Sequence, residues 1–314
     1  MADTLSRSWK CVLSALPKAG RTCVWLLKII LPVSLLVMLL QYFGWLETFS
    51  VYLSPVFSAI GLPAETAVIF LTSCFCPLYT SIALIATTSL GLREATILAL
   101  MCLTSHNLIV ESTIQGKTGS TFWGMNALRI GMAFVIAFAL NRVMPTEGWG
   151  YIGVERSVEA FGSLREVFTV WFTGAMRVII TILLVVTSLL ILHGVLEEFK
   201  LMKGLSAVFT PLMRVFGLPK DTAFLWLVGN VVGLAYGGAI MMEQLEQKKL
   251  SYKNSNLLNY HLAVSHSLLE DTIVFAAIGI PVLWILCTRL LFAAAVVWIR
   301  RGIGYARKTA LTNR

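Results

Sequence analysis

Charge is what this 314-residue sequence most lacks: 13% of its residues are charged, against 57% hydrophobic, and the mean hydropathy is +0.80. A soluble domain of this length needs far more charge to cover its surface, which excludes that class. Acidic residues are scarcer still, 16 against 25 basic ones, for a net charge of +9. That excess does not imply nucleic acid as a partner. The basic residues gather at the two ends and in a few loops beside apolar runs, as in segments held on an anionic cytoplasmic leaflet. No disulfide framework is present, because Cys11, Cys23, Cys74, Cys76, Cys102 and Cys287 lie in or beside apolar segments and read as small hydrophobes. Residues 1–21 lack a small-residue cleavage site, and the apolar run after them is too long for a secretory signal core. No glycine-rich phosphate loop follows a strand, and neither a nucleophile elbow nor a zinc-protease helix occurs. Ser105-His106 and Ser265-His266 are mere sequence neighbours, which is no triad. No enzymatic activity, cofactor or resident metal is expected.

What is there in quantity is apolar length. Stretches 22–44, 66–88, 95–113, 122–143, 177–196, 222–242, 257–277 and 280–299 each approach the roughly 20 residues a helix needs to cross hydrocarbon. Two amphipathic stripes lie between them: Leu5, Trp9, Val12, Leu13 and Leu16, then Val154, Val158, Phe161, Leu164, Phe168, Trp171 and Phe172. Both are expected as helices lying in the membrane interface. Segments 47–60 and 202–216 are shorter and each holds a proline, Pro55 and Pro211.

The chain repeats itself. Leu53-Ser54-Pro55-Val56-Phe57 matches Phe209-Thr210-Pro211-Leu212-Met213, and Gly61-Leu62-Pro63 matches Gly217-Leu218-Pro219, at an offset of 156. After an insertion near 247–253 the offset becomes 160. Ser105-His106 then falls on Ser265-His266, Glu111 on Asp271, Gly119 on Gly279 and Arg129 on Arg289. Residues 1–148 and 149–314 are therefore expected as the two repeats.

Lysine and arginine placement argues that the repeats are inverted. Segment 45–65 has none, whereas its copy holds Lys203, Arg214 and Lys220, and equivalent loops of opposite bias face opposite sides. Both basic termini are expected in the cytoplasm. Inversion needs an odd number of crossings per repeat, which makes 66–88 and 222–242 re-entrant hairpins. Cys76-Pro77 breaks the first, and the glycine-rich stretch from Gly229 to Gly238 loosens the second. The expectation is an all-α integral protein of the cytoplasmic (inner) membrane, with two inverted repeats. Each repeat has three spanning helices, a re-entrant hairpin and interfacial amphipathic helices. The alternative is eight plain spans in parallel repeats, with Gly229, Gly233 and Gly237 as a close-packing face.

The order of proline helix, Gly-Leu-Pro entry, broken apolar hairpin and Ser-His-containing helix resembles the nucleoside recognition, or Gate, domain. That domain is shared by spore maturation proteins A and B, the membrane part of ferrous iron transporter B and concentrative nucleoside transporters. The resemblance spans about 28–143 and 180–300. It implies an inverted-repeat, transporter-like core with a solute site between hairpin tips and broken helices. The chain departs from the iron transporters in having no GTP-binding domain, and from the nucleoside transporters in having no clear copy of their Glu-containing hairpin motif.

Polar groups in hydrocarbon need partners or a wet cavity. Cys74, Thr80, His106, Asn107, Asn230, Tyr236 and His266 are the expected solute-lining residues, with Glu111, Arg129, Asp271 and Arg289 as charged support. Carboxylate–guanidinium pairs are expected within each repeat, and Arg289 is the leading candidate for holding an anion. His261 points along a different helix face from His266, so the two form no metal pair. Three functions remain in view. The first is a permease for a small polar solute, nucleoside-like in one version. The second is a divalent-metal or ion pathway through Cys74, Cys76 and the histidines. The third is a non-transporting assembly factor. The expected partners are the lipid bilayer and an unidentified solute or ion, and self-association into a homo-oligomer is left open.

Inversion makes a simple topological prediction. In a background without native cysteines, Ala64→Cys and Lys220→Cys will react with an impermeant thiol reagent from opposite faces of the membrane. Labelling from one face would establish parallel repeats.

Overall fold

A computed structural model describes residues 2–43, 45–152, 163–199 and 201–312. Among them the apolar stretches become fourteen α-helices, with one antiparallel two-residue pairing, Leu90–Gly91 (β1) against Tyr151–Ile152 (β2). The first apolar run belongs to α1 (Ala2–Tyr42), followed by α2 (Trp45–Ala59). Next come α3 (Thr66–Phe75) and α4 (Leu78–Thr87), then α5 (Leu92–Ser105), α6 (Leu108–Lys117) and α7 (Phe122–Val143). The second half has α8 (Leu164–Glu198), α9 (Leu201–Val215), α10 (Ala223–Val231) and α11 (Leu234–Glu246), then α12 (Tyr252–Ser265), α13 (Leu268–Ala277) and α14 (Val282–Thr312).

Both segments expected as broken hairpins are broken. Pro77 has no N–H to donate and holds Cys76 extended (φ −111, ψ 160), so α3 stops there and α4 starts afresh. Gly233, at φ 103, separates α10 from α11. In each case the halves pack against one another. A Cβ added to Gly237 would stand 3.1 Å from the Gly229 Cα, so α10 and α11 meet backbone to backbone. Ten residues of helix rise about 15 Å, half of a hydrocarbon core.

Two further breaks carry no proline or glycine and escaped the sequence reading, which took the Ser-His segments as unbroken. The chain leaves helix at His106-Asn107 and again at His266-Ser267, where Asn107 (φ 48) and Ser267 (φ 52) are left-handed. A hairpin tip receives each freed amide: Asn107 N donates to Ser73 O and Ser267 N to Gly229 O, both at 2.9 Å. Other backbone details recur between the repeats. Gly61 and Gly217 have φ of 74 and 69, and Gly119 and Gly279 have 101 and 98. Leu62 N donates to Phe57 O as Leu218 N does to Met213 O. Positions aligned by the two offsets thus share backbone conformation as well as residue type.

By contact the chain forms two compact units. The first comprises Met1–Asn107, Ala133–Glu198 and Asp271–Val282. Its α1 and α8 pack along a buried stripe of small residues, Cys11, Ala15, Ala19 and Cys23, with Cys11 Sγ 3.6 Å from Gly194 O. Arg7 and Glu198 join them at 2.9 Å. That stripe runs uninterrupted past Pro17, which is why residues 5–16 are the start of α1 and not a separate interfacial helix. Trp9, Leu13 and Leu16 are exposed, and the Leu5 side chain lies outside the described residues. Likewise Leu164, Phe168 and Phe172 form an exposed face on the first turns of the long α8, while Val154, Val158 and Phe161 lie outside the described residues. Edge-on rings of Phe57, Phe70 and Phe134 close this unit's core.

The second unit comprises Leu108–Met132, Phe199–Glu270 and Leu283–Arg314. Met213, Phe216, Trp226, Leu258, Leu262 and Val297 fill its core. Trp298 Nε1 donates to Val215 O at 2.9 Å, and Arg301 donates to Gly217 O at 3.0 Å. Among the described residues, Phe122–Val143 and Val282–Ile303 are each long and apolar enough to cross a membrane, and α5 with α6 would make a third as one broken span.

The α10–α11 approach leaves no room for a side chain. Gly237→Leu should destabilise the protein by about 1–3 kcal/mol, whereas Gly131→Leu, with nothing within 4 Å of its Cβ, should leave the melting temperature unchanged in a thiol-dye unfolding assay.

Candidate functional site

Glu111 sits one turn into α6, inside the apolar second unit, with only 8% of the residue exposed. A lone carboxylate there would be strongly disfavoured. Arg129, on α7 and fully buried, places Nη2 2.7 Å from Glu111 Oε2. This is the carboxylate–guanidinium pair expected within the first repeat. The sequence did not reveal a third member. His266 Nε2, from the second repeat, lies 3.0 Å from the same oxygen. Its other nitrogen, Nδ1, is 2.7 Å from Leu262 O.

The break at His266-Ser267 sets this geometry. Ending α12 at Ser265 turns the His266 ring back along its own helix and frees the carbonyls of the last turn. Arg289, fully buried on α14, caps them: Nε donates to Val264 O at 2.9 Å and Nη2 donates to His266 O. The guanidinium expected to hold an anion is engaged with backbone oxygens.

Around this cluster lies a polar network that the sequence reading missed. Asn259, fully buried on α12, donates to Gln115 O (3.2 Å) and Thr118 O (3.1 Å), carbonyls at the end of α6. Gln115 Nε2 donates to Asn259 O at 3.1 Å, and Ser255 Oγ donates to Thr118 O at 2.5 Å. Ser112 Oγ donates to Asn126 Oδ1 at 2.8 Å, tying α6 to α7. The available signal was Asn259 itself, an amide in an apolar run. Selecting residues by repetition hid it, because offset 160 pairs it with Ala99. Among the buried side-chain atoms of the described residues with no hydrogen-bond partner are two amide oxygens, Asn230 Oδ1 on α10 and Gln115 Oε1. The Asn230 amide donates to Trp226 O at 2.8 Å, and the neighbouring Gly229 carbonyl holds Ser267.

The other expected residues are distributed as follows. Tyr236, on the first turn of α11, is 45% exposed. In the first unit Cys74 and Thr80 are buried at the hairpin, with no hydrogen-bond partner for the Thr80 hydroxyl among the described residues, and Cys76 is half-buried. His106 is buried, with Nδ1 3.1 Å from Cys102 O, repeating the His266 arrangement. Asn107 forms the break, and Asp271 is buried on α13. His261 faces Trp226, Ser265 and Phe216. An open groove of about 550 Å³ runs along α8, lined by Arg165, Phe168, Thr169, Trp171, Phe172 and Thr173, and holds none of the candidate residues.

Comparison with known proteins adds to this geometry. A family model described as nucleoside recognition (Gate) matches residues 23–120. The chain is 32% identical over 279 residues to the uncharacterized membrane protein YvoD of Bacillus subtilis (strain 168), with 87% of this chain and 88% of that one covered. No solved structure matches.

The buried pair makes a thermodynamic prediction. Arg129→Met and Glu111→Leu will each destabilise the protein by about 3–5 kcal/mol, and the double substitution by much less than their sum. Additive losses in a double-mutant cycle would show that the two side chains do not interact.

Proposed function

From the premise that the chain belongs to the Gate, or nucleoside recognition, family of membrane proteins, we propose that it is a permease for a small polar solute. In this reading residues 1–148 and 149–314 are inverted repeats of three spanning helices each, set in the cytoplasmic membrane with both termini inside. The hairpins α3–α4 and α10–α11 re-enter from opposite faces, and the solute crosses by alternating access at mid-membrane.

One observation carries the reading: a carboxylate, a guanidinium and an imidazole are buried together where a hairpin tip is bonded to a broken helix. Ionisable groups at membrane depth mark pathways more often than packing, and broken helices are how carriers present backbone and side-chain groups to a solute. The unpartnered acceptors Asn230 Oδ1 and Gln115 Oε1 favour a solute rich in N–H and O–H donors, as a nucleoside is. Inversion is supported by charge at equivalent positions. Arg301 lies against Gly217, whereas its counterpart beside Gly61 is the neutral Asn141. A divalent metal at Glu111 is disfavoured, because Arg129 already sets a permanent positive charge on that oxygen. The assembly-factor reading draws support from Arg289, whose Nε and Nη2 cap carbonyls at the end of α12.

Proteoliposomes loaded with a panel of radiolabelled nucleosides, other small polar solutes and divalent metals test this. The expected result is solute uptake that falls at least ten-fold in Asn230→Leu and in the double variant His106→Ala with His266→Ala. No uptake across the panel would establish the assembly role.

A further inference from the structure

Four helices begin at a break inside an apolar stretch, namely α4, α6, α11 and α13. Each start leaves amides that have no carbonyl of their own helix to bond. Three of the four are provided for. α6 carries Glu111 in its first turn, and α13 carries Glu270 and Asp271 within its first four residues. A carboxyl group there suits the positive end of a helix. At α11 the Ser267 hydroxyl stands beside the cap residue, 3.1 Å from where a Gly233 Cβ would lie. α4 has neither provision. Its cap residue is Pro77, no side-chain bond caps it, and its first turn holds no acidic residue.

Partners at the α3–α4 tip are unevenly shared. The last carbonyls of α3 are occupied: Cys76 N donates to Thr72 O at 3.0 Å, and Asn107 N donates to Ser73 O at 2.9 Å. The negative end of α3 is thus covered, while the positive end of α4 is not.

Thr80, the third residue of α4, is fully buried, and its hydroxyl has no hydrogen-bond partner among the described residues. Thr88, Thr96 and Thr104 each bond back to the carbonyl four residues earlier. For Thr80 that carbonyl belongs to Cys76, which is extended and outside the helix. Every Cα–Cβ bond of a helix tilts toward its N-terminus, so the idle hydroxyl stands on the side of the uncapped amides. Ser81, also fully buried, faces the Cys102 thiol, a weak partner.

We propose that the start of α4 is an oxyanion subsite, where a carboxylate or phosphate group of the solute is held by the first amides of the helix and the Thr80 hydroxyl. The solute class rests on the permease reading; the subsite does not. These groups are all donors at a positive helix end, so they reward a charged acceptor above a neutral one. The donor-rich solute inferred from Asn230 and Gln115 is thereby narrowed to one that also bears an anionic group. Phe75 is 69% exposed, and Cys76 and Pro77 are half-buried, so the anion arrives over the tip. Thr80 is sealed behind them, and its hydroxyl engages once the tip shifts.

Thermal unfolding of the detergent-purified full chain, followed by tryptophan fluorescence, tests the subsite. Inorganic phosphate and acetate should each raise the wild-type melting temperature by about 2–4 °C more than that of Thr80→Val. Comparison with that variant removes the general effect of salt. Without ligand, Thr80→Val should melt no lower than wild type, because it deletes an unsatisfied polar group and keeps the shape. Equal shifts in the two proteins overturn the subsite. So does a variant that melts well below wild type, since the hydroxyl would then have a partner in the fold. In proteoliposomes, uridine monophosphate should enter about ten-fold faster than uridine, and glycerol phosphate and lactate about ten-fold faster than glycerol. Neutral solutes entering as fast as their anionic counterparts overturn the solute class alone. A Thr80-dependent shift with no uptake of any of these solutes overturns the permease reading, and the solute class with it.

Discussion

Arg129 is what permits Glu111 to exist. A carboxylate on a helix inside an apolar unit is tolerable only with a positive group in contact, and the 2.7 Å approach of that guanidinium supplies one. The rest of the polar interior follows from that pair. Once a charged oxygen is fixed there, an imidazole can be held against it. The amides of Gln115 and Asn259 hold the end of α6 against α12, so that Glu111 stays where Arg129 and His266 reach it. Removing the guanidinium would leave a buried charge without its counter-ion.

Backbone breaks are the second constraint, since each leaves amides and carbonyls that hydrocarbon cannot satisfy. The fold answers with groups from other elements. Ser73 O and Gly229 O accept the amides of Asn107 and Ser267, and Arg289 caps Val264 and His266. A broken helix and a hairpin tip therefore stabilise one another, and neither is sound alone. That mutual dependence accounts for both appearing in each repeat with matching left-handed residues.

The candidate site was half legible. Repetition singled out Glu111, Arg129, His266 and Arg289, and burial makes each of them part of the polar interior. Two things were hidden. His266 meets a carboxylate from the other repeat, a pairing that sequence distance does not suggest. Asn259 occurs in only one repeat, its counterpart being Ala99, so a search by symmetry passes over it. The breaks at Asn107 and Ser267 were equally silent, because neither residue type forces a helix to end and both are held by a tertiary hydrogen bond.

Local chemistry written into the sequence determined the membrane class, the duplication, the proline and glycine breaks of the hairpins and the need for charge pairs. Low charge, apolar length and the geometry of Pro77 and Gly233 act without reference to distant residues. Tertiary structure alone decided which segments share a unit, that residues 5–16 continue into α1, and that one imidazole, one carboxylate and two guanidiniums converge. The reason is that an ion pair in an apolar interior is chosen by whichever buried groups the packing brings within about 3 Å, and no property of the chain taken residue by residue contains that distance.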